Sequence, residues 1–355
     1  MIERKLIQLE LSVHGSQYTR GCVQVHPMNP SIFVTFPIPE PVLHRLSARY
    51  RVAVNSEDTD LTTPELQARI CDVDGLMVAN ERISRQVIDG APRLRAVAKL
   101  GVGYDTIDVA ACTERSIVVT NTGSESAEAT ADLTFALLLA LARRVVGADR
   151  YVRDGNWKRS QRAVIWGTDV HHKTLGIYGF GNIGRAVARR GHGFSMRVIY
   201  CSRQRAPVEI EQKFAAEHVG HQALVRESDF LCLHVPLTKE TDGLIGNREL
   251  SMMKPTAFLI NTARGRVIDE TGLVEALASR KIAGAALDVF EREPEVHAKL
   301  LSMPNVILAP HIGACTSETR LRMAHLAVEN LLSALAGRRP PNLINPEAYS
   351  GITIS

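Results

Sequence analysis

The sequence has no long apolar run and no apolar leader. Its longest apolar stretch, FALLLALA at residues 135–142, is far shorter than the roughly 20 residues that a membrane helix needs, so we expect no membrane-spanning segment and no membrane partner. The first residues, MIERKLIQLELSVHG, alternate charged residues with Leu and Ile, which argues against a secretory signal. These absences predict a cytoplasmic protein.

Closely spaced cysteines and a large charge excess are also missing. None of the six cysteines forms a C-x-x-C pair, so we expect neither a zinc site nor a disulfide scaffold, and no bound metal. The 42 Lys and Arg residues outnumber the 38 Asp and Glu residues only slightly, and they are spread along the chain. This distribution does not favour nucleic-acid binding, and small anionic ligands explain the surplus equally well.

What the sequence does contain is a repeated pattern of strands and helices. Short β-branched runs alternate with amphipathic helical stretches, first between residues 31 and 121 and again between residues 174 and 310. A long apolar helical stretch separates the two series. The last helical stretch, SETRLRMAHLAVENLLSALAG, has no strand after it, so we expect it to cross back onto the first series. The sequence therefore predicts an α/β fold with two lobes, Rossmann-like or flavodoxin-like, each built on a parallel sheet.

The second series begins with a glycine-rich turn in the stretch LGIYGFGNIGRAVARR. Gly179 permits a tight turn after a strand, Gly181 lets the backbone approach a pyrophosphate, and Gly184 lets the helix pack close to the strand. The unpaired N–H groups and the positive dipole end of the helix then face the phosphates. The pattern predicts a dinucleotide site at this turn, which also includes Phe180, Asn182 and Ile183.

The strand after this turn, RVIYCSRQR, indicates which dinucleotide is bound. An NAD site usually has Asp or Glu at the end of this strand to hold the ribose hydroxyls, and here the residue is Cys201. Ser202, Arg203 and Arg205 follow, and they suit a 2′-phosphate unless both arginines simply point into water. The sequence therefore predicts NADP(H), with NADPH preferred over NADH.

Three charged residues follow three strands of the second series. Arg264, Glu293 and His311 lie in FLINTARGRVIDE, AALDVFEREPE and VILAPHIGACT. Ligands of open α/β sheets bind beyond the carboxyl ends of the strands, so we expect these side chains in one neighbourhood that faces the other lobe. A guanidinium binds a carboxylate in a two-pronged fork, and an imidazolium beside a carboxylate can donate a proton to a carbonyl oxygen. This set suits the reduction of a 2-keto acid.

At these residues the chain resembles the D-isomer-specific 2-hydroxyacid dehydrogenase family. The resemblance extends over about residues 31–350 and follows, in order, LGVGYDTID, NTGSESAEATADLTFALLLALARR, the glycine turn, HVPLTKETDGLI, NTARG, LDVFEREP and PHIG. It implies that Arg264 binds and polarises the substrate, that His311 is the acid/base and that Glu293 pairs with His311. Glu293 is chosen over Glu291 because the family's acid lies five positions after the Asp of LDV and directly before a proline.

The same resemblance implies further binding residues. Val102 and Gly103 would offer backbone N–H groups to the substrate carboxylate. Besides the glycine turn and the residues after Cys201, the cofactor would contact His234, Pro236, Thr241, Thr262, Ala263, Asp288, His311 and Gly313. Plainer explanations exist for single residues, since His234 could be a buried strand residue and Asp288 a helix cap.

Within the family, the sequence is most similar to the branch of 2-ketogluconate, hydroxypyruvate and glyoxylate reductases. The similarity lies in WGTDVHHKTLGI, RRGHGF and the ending LLSALAGRRPPNLINPEAY, while His172, Thr106 and GACT after His311 depart from the branch's pattern. We expect NADPH-dependent reduction of one of these small 2-keto acids to the D-2-hydroxy acid. Two alternatives stay open: a non-catalytic, dinucleotide-sensing corepressor-like protein and an NAD-dependent phosphoglycerate-type dehydrogenase.

The domain boundaries and the oligomeric state complete these expectations. Residues 28–126 plus 312–355 would form a discontinuous substrate-binding domain, residues 127–311 an NADP-binding Rossmann domain, and residues 1–27 an extension with no assigned role. The helical stretch ATADLTFALLLALARRVV is apolar around most of its circumference, more than one core-facing stripe needs. Since the family places this helix at a two-fold interface, we expect a homodimer, unless the helix is buried within its own lobe.

Overall fold

The first of two sheets has five parallel strands in the order β2, β1, β3, β4, β5. The computed structural model describes residues 30–57, 59, 61–158 and 165–349, so the expected extension at residues 1–27 lies outside the described residues. The strands are β1 (Ser31–Val34), β2 (Arg51–Val54), β3 (Gly75–Val78), β4 (Ala96–Lys99) and β5 (Val118–Thr120). The alternating helices are α1 (Glu40–Ser47), α2 (Thr63–Ile70), α3 (Arg85–Asp89) and α4 (Val109–Glu114). These elements form the first lobe.

The second sheet has seven parallel strands in the order β12, β11, β10, β9, β6, β7, β8. The strands are β6 (Thr174–Tyr178), β7 (Arg197–Cys201), β8 (Ala216–His218), β9 (Phe230–Leu233), β10 (Phe258–Asn261), β11 (Gly284–Leu287) and β12 (Val306–Leu308). Its helices are α7 (Asn182–Gly193), α8 (Val208–Phe214), α9 (His221–Glu227), α10 (Asn247–Met252) and α11 (Glu270–Ala278). The strand order reverses beside β6, so the end of β6 is the point where such sheets bind ligands. These elements form the second lobe.

Two helices, α5 (Ala127–Ala142) and α6 (Val145–Arg153), replace the single long helix that the apolar stretch predicts. They are separated by Arg144, which has a left-handed φ of +54°. Helix α5 packs on α7, β10, β11 and β12, and most of its residues are buried. Burial within its own lobe therefore explains its apolar circumference, and the exposed valines lie on α6 instead.

Helix α12 (Ser317–Leu335) crosses back to the first lobe, as predicted. It contacts α1, β3, β4 and β5. Asn330 Nδ2 donates to the Asn121 carbonyl at 2.8 Å, and Arg95 Nη2 donates to the Leu335 carbonyl at 3.1 Å. The predicted α/β fold, with two parallel-sheet lobes of which the first is discontinuous, is confirmed.

In the part of the chain that the structure describes, no helix is long and apolar enough to span a membrane. The same residues contain no group of three or more His, Cys, Asp or Glu side chains placed to hold a metal ion. The cysteines among them are free thiols: Cys71, Cys112, Cys201, Cys232 and Cys315.

Candidate active site

The charged residues after β10, β11 and β12 meet at one edge of the second sheet, because neighbouring parallel strands end there together. His311 Nδ1 lies 2.7 Å from Glu293 Oε2. The charge of Arg264 acts on the same carboxylate, which places the guanidinium in this neighbourhood. The side chains of His311 and Glu293 remain 41% and 34% exposed, so a ligand can reach the pair.

Glu293 is held as a carboxylate. Burial alone would raise its pKa, but the hydrogen bond and charge of His311, the backbone N–H of Phe290 and the charge of Arg264 together hold the pKa below its usual value. Because Nδ1 of His311 faces this carboxylate, Nε2 is the ring atom that remains for a ligand. The arrangement can therefore transfer a proton between Nε2 and a bound molecule.

Asp288 fixes the loop that carries His311. Its buried carboxylate accepts the N–H of Ile312 at 2.7 Å and the N–H of Gly313 at 2.8 Å, and its carbonyl accepts the N–H of His311 at 2.8 Å. Burial raises the pKa of Asp288, although these two N–H groups and the charge of His311 oppose the shift. Asp288 is therefore tied to a loop rather than to a helix terminus, and each oxygen keeps a second lone pair for a ligand amide.

The GVG loop of the first lobe meets Arg264 of the second. A Cβ built on Gly103 would lie only 1.5 Å from Nη2 of Arg264, so this close approach requires glycine. Arg264 also donates from Nε to Asp105 Oδ1 at 3.0 Å and from Nη1 to the Ala263 carbonyl at 2.7 Å. The neighbouring Val102 is exposed. Arg264 thus bridges the lobes. The sequence did not predict Asp105 as a hydrogen-bond partner of Arg264. The only signal for it was its position directly after GVGY.

The glycine turn has the shape that a pyrophosphate requires. Gly179 has φ +94°, and a Cβ on it would lie 2.4 Å from the His234 carbonyl oxygen. A Cβ on Gly184 would lie 2.1 Å from the Gly179 carbonyl oxygen. On Gly181, by contrast, a Cβ would find no described atom within 4 Å, which leaves open space at the N-terminus of α7. An open backbone cradle at a helix N-terminus fits the phosphates of a dinucleotide.

Two other residues of the turn support it by packing. Phe180 is buried and stacks on Tyr200 at a ring-centroid distance of 4.0 Å. Ile183 packs against the hydrophobic core that contains Phe180 and Tyr200. Asn182 is the first residue of α7 and is exposed, so it is the residue of this group that a ligand can touch.

The other residues predicted to contact the cofactor differ in their hydrogen-bond partners. Neither ring nitrogen of His234 has a hydrogen-bond partner among the described residues, and burial lowers its pKa to about 3, so the imidazole is neutral. Thr241 Oγ1 donates to the Pro236 carbonyl at 2.6 Å. The Thr262 hydroxyl lies 3.0 Å from the hydroxyl of Thr134 in α5 and so joins the strand end to that helix. His234 is therefore the residue of this group whose polar atoms most clearly lack a partner.

The segment after β7 differs from expectation at Arg205. Its guanidinium binds Glu211 of α8 through two hydrogen bonds, Nε to Oε1 at 2.9 Å and Nη2 to Oε2 at 2.8 Å. The hydrogen bonds from Arg205 and Tyr200 lower the pKa of Glu211 to about 2. Cys201 packs in the core beside Tyr178. Arg205 is thus tied to α8 rather than free to bind a phosphate.

Ser202 and Arg203 are placed differently from Arg205. Ser202 Oγ donates to the Gln204 carbonyl at 2.6 Å, and the Arg203 side chain is exposed. The pKa of Glu240 is lowered first by a hydrogen bond from Thr238 and also by the charge of Arg203. Arg203 therefore lies near the loop that follows β9, where His234 and Thr241 are also found.

The geometry agrees with the similarity of the chain to known proteins. Residues 135–313 match the family model of the D-isomer specific 2-hydroxyacid dehydrogenase, NAD binding domain. A glyoxylate reductase from Thermococcus gammatolerans is 48% identical over 327 residues, which cover 90% of this chain and 97% of that protein.

Solved structures agree as well. The crystal structure of a protein from Thermus thermophilus superposes with a TM-score of 0.83 at 42% identity, covering 88% of this chain and 99% of that one. The NADPH-dependent glyoxylate/hydroxypyruvate reductase from Sinorhizobium meliloti, in complex with NADP and malonate, gives a TM-score of 0.81 at 33% identity over 90% and 98% of the two chains. The chain therefore belongs to the D-isomer-specific 2-hydroxyacid dehydrogenase family.

Proposed function

We propose that this protein reduces a small 2-keto acid to the D-2-hydroxy acid with NADPH, the substrate being glyoxylate, hydroxypyruvate or 2-ketogluconate. The observation that carries the proposal is the 2.7 Å contact between His311 and Glu293 beside Arg264, which itself reaches the GVG loop of the other lobe. The names of the similar proteins support reduction of glyoxylate and hydroxypyruvate. They do not favour the corepressor-like alternative.

Each residue of this set has a distinct role. Arg264 and the N–H groups of Val102 and Gly103 bind the substrate carboxylate, and the guanidinium also stabilises negative charge that develops on the carbonyl oxygen. His311 donates a proton from Nε2 to that oxygen, and Glu293 holds the imidazole in position and balances its charge. Bound NADPH supplies the hydride.

The cofactor is held by groups of the second lobe, and residues 127–311 form its domain. The phosphates lie at the glycine turn, Ser202 and Arg203 bind the 2′-phosphate, and Arg205 positions their loop through Glu211. The other contacting residues are His234, Pro236, Thr241, Thr262, Ala263, Asp288, His311 and Gly313. Residues 28–126 plus 312–355 form the substrate-binding domain, and closure of the two lobes excludes water from the site.

A substrate panel tests the proposal. Glyoxylate, hydroxypyruvate and 2-ketogluconate are each supplied with NADPH and with NADH, and cofactor oxidation is followed by absorbance. We expect turnover of at least one keto acid and a higher kcat/KM with NADPH. NADPH binding without turnover of any of the three would instead support the sensor alternative, and a preference for NADH would refute the cofactor assignment.

Variants after β7 separate the roles of the two arginines. Ser202→Asp combined with Arg203→Ala should lower the NADPH/NADH ratio of kcat/KM by on the order of 10²-fold, since a carboxylate is added and a guanidinium removed beside a phosphate. Arg205→Ala should alter the ratio less and lower the melting temperature, because it breaks the contact with Glu211. Arg226→Ala, an exposed change on α9, is the matched control. If Arg205→Ala alone reversed selectivity, Arg205 would itself be the phosphate ligand.

We also propose a homodimer. Helix α6 exposes Val145, Val146 and Val152, and the segments that follow expose Trp157 and Trp166. Large apolar side chains left exposed on one helix, such as the three valines of α6, are typical of an interface with another protein surface. The contact is therefore assigned to α6 and its flanks rather than to the buried α5.

A further inference from the structure

Lys99, the last residue of β4, is a buried cation outside the set described above. Only 7% of the residue is exposed. Its Nζ donates to the carbonyl of Ala79, which directly follows β3, and lies 3.5 Å from the Leu100 carbonyl. Since an ammonium has three N–H protons, one of them has no partner among the described residues.

The ammonium lies directly beneath the GVG loop. A Cβ built on Gly101, the first residue of that loop, would lie 3.8 Å from Nζ. At the other end of the loop, Arg264 approaches Gly103 and binds Asp105. The loop that would bind the substrate carboxylate thus has one cation below its first residue and another against its third.

The charged groups that face Lys99 come from four parts of the fold. They are the buried Glu81 after β3, Asp105 after the GVG loop, Arg264 of the second lobe and Arg320 of α12. Burial, and after it the charge of Arg264, lower the pKa of Lys99 to about 8, while Glu81 and Asp105 oppose the shift. Lys99 is therefore a group of this cluster whose charge changes near pH 8.

Hydrogen bonds to the Ala79 and Leu100 carbonyls do not require a charge, since a neutral amine also has two N–H donors. A neutral donor would satisfy the Ala79 oxygen, whereas burying an ammonium without a carboxylate in direct contact costs free energy. An arriving anion at the GVG loop would offset that cost, because its charge would lie opposite both cations.

We propose that the Lys99 ammonium supplies a second positive charge, besides that of Arg264, where the GVG loop binds the substrate carboxylate, and so strengthens binding of the anionic substrate. Lys99 is then a positioning residue rather than a catalytic one, and the inference rests on the proposed function. Binding of an anion favours protonated Lys99, and by linkage protonated Lys99 favours the anion. The affinity is therefore highest below about pH 8 and falls as Lys99 deprotonates.

The test is the pH dependence of KM between about pH 6.5 and 9.5, with kcat and the Kd of NADPH measured alongside. For the wild-type protein we expect KM for the keto acid to rise on the order of tenfold through about pH 8, with a smaller change in the Kd of NADPH. Lys99→Gln keeps a donor but loses the charge, and Lys99→Met loses both. Both variants should have a high KM at neutral pH without the rise.

Two further variants serve as controls. Lys99→Arg keeps the charge throughout this range, so it should keep a low KM that no longer rises at about pH 8. Lys254→Met removes a lysine that pairs with Asp229, which directly precedes β9 and so lies at the opposite end of the strands from the candidate active site. It should retain the wild-type profile. If Lys99→Gln retained the low KM and the rise, or if the wild-type KM were flat, the charge of Lys99 would have no role in substrate binding.

Binding of oxalate, measured as a thermal shift at about pH 7 and about pH 9.5, separates this inference from the proposed function. It requires no turnover, so it decides the role of Lys99 even if no keto acid is reduced. A pH-dependent shift that is lost in Lys99→Gln supports the inference. An equal shift in the wild type and in Lys99→Gln would overturn it.

Discussion

His311 has its two ring nitrogens in different surroundings, and this difference determines what it can do. Nδ1 faces the carboxylate of Glu293, while Nε2 remains available on a side chain that is 41% exposed. The loop beneath is fixed by Asp288, which binds three consecutive backbone N–H groups through its carboxylate and carbonyl. The imidazole, which follows β12, is thus oriented by two groups that follow the neighbouring strand β11, as a positioned general acid requires.

Replacing His311 by Gln should lower kcat by about 10² to 10⁴, the range that a positioned general acid contributes. The Kd of NADPH, measured by fluorescence titration, should change little because the glycine turn is untouched. His297→Gln changes a half-buried histidine of the same lobe; it is the control and should keep full activity. Full turnover in the His311 variant would remove this residue from the proposed role.

At the scale of elements, the turn between β6 and α7 uses its glycines for different purposes. Gly179 and Gly184 have no room for a Cβ because carbonyl oxygens of the fold lie within 2.4 Å and 2.1 Å of it. Gly181 faces open space, so its lack of a side chain is not needed for packing. The first and third glycines serve the fold, and the middle one leaves room for a ligand.

Gly181→Ala should therefore leave the melting temperature close to that of the wild type and raise the Kd of NADPH by at least about tenfold, because the methyl group would occupy the phosphate approach. Gly184→Ala should lower the melting temperature instead. Gly193→Ala, at the far end of α7 where a Cβ also meets no described atom, is the control for an added methyl group. Unchanged NADPH affinity in Gly181→Ala would contradict the proposal that the cofactor phosphates bind at this glycine turn.

The sequence was sufficient to predict the alternation of strands and helices and the charged residues that follow strand ends, because periodicity, glycine spacing and motif order are local signals. It could not predict the pairing of Arg205 with Glu211, since either solvent or a phosphate would suit that arginine equally well in the sequence. Nor could it predict the break at Arg144 or the contact between Asp105 and Arg264, which joins residues from different lobes. These features depend on tertiary packing, which has no periodic signature.

At the scale of the whole molecule, the exposed valines of α6 predict how copies associate. Val145→Asp combined with Val152→Asp should convert a dimer to a monomer, because each charge would be buried without a partner at the interface. Light scattering after size exclusion measures the mass. Val208→Asp is the matched control, since Val208 on α8 is 54% exposed, close to the 53% of Val152. A wild-type protein that is monomeric at micromolar concentration would refute the dimer.

The candidate active site combines residues of both lobes, since the GVG loop comes from the first and Arg264, Glu293 and His311 from the second. Holding the carboxylate and the carbonyl oxygen of the substrate at fixed points leaves one face of the carbonyl carbon open to hydride. The handedness of the product therefore reports on the whole arrangement. The most direct measurement is the chirality of the glycerate formed from hydroxypyruvate and NADPH by the wild-type protein. We expect D-glycerate, and L-glycerate or a racemic mixture would contradict the proposed arrangement of these residues.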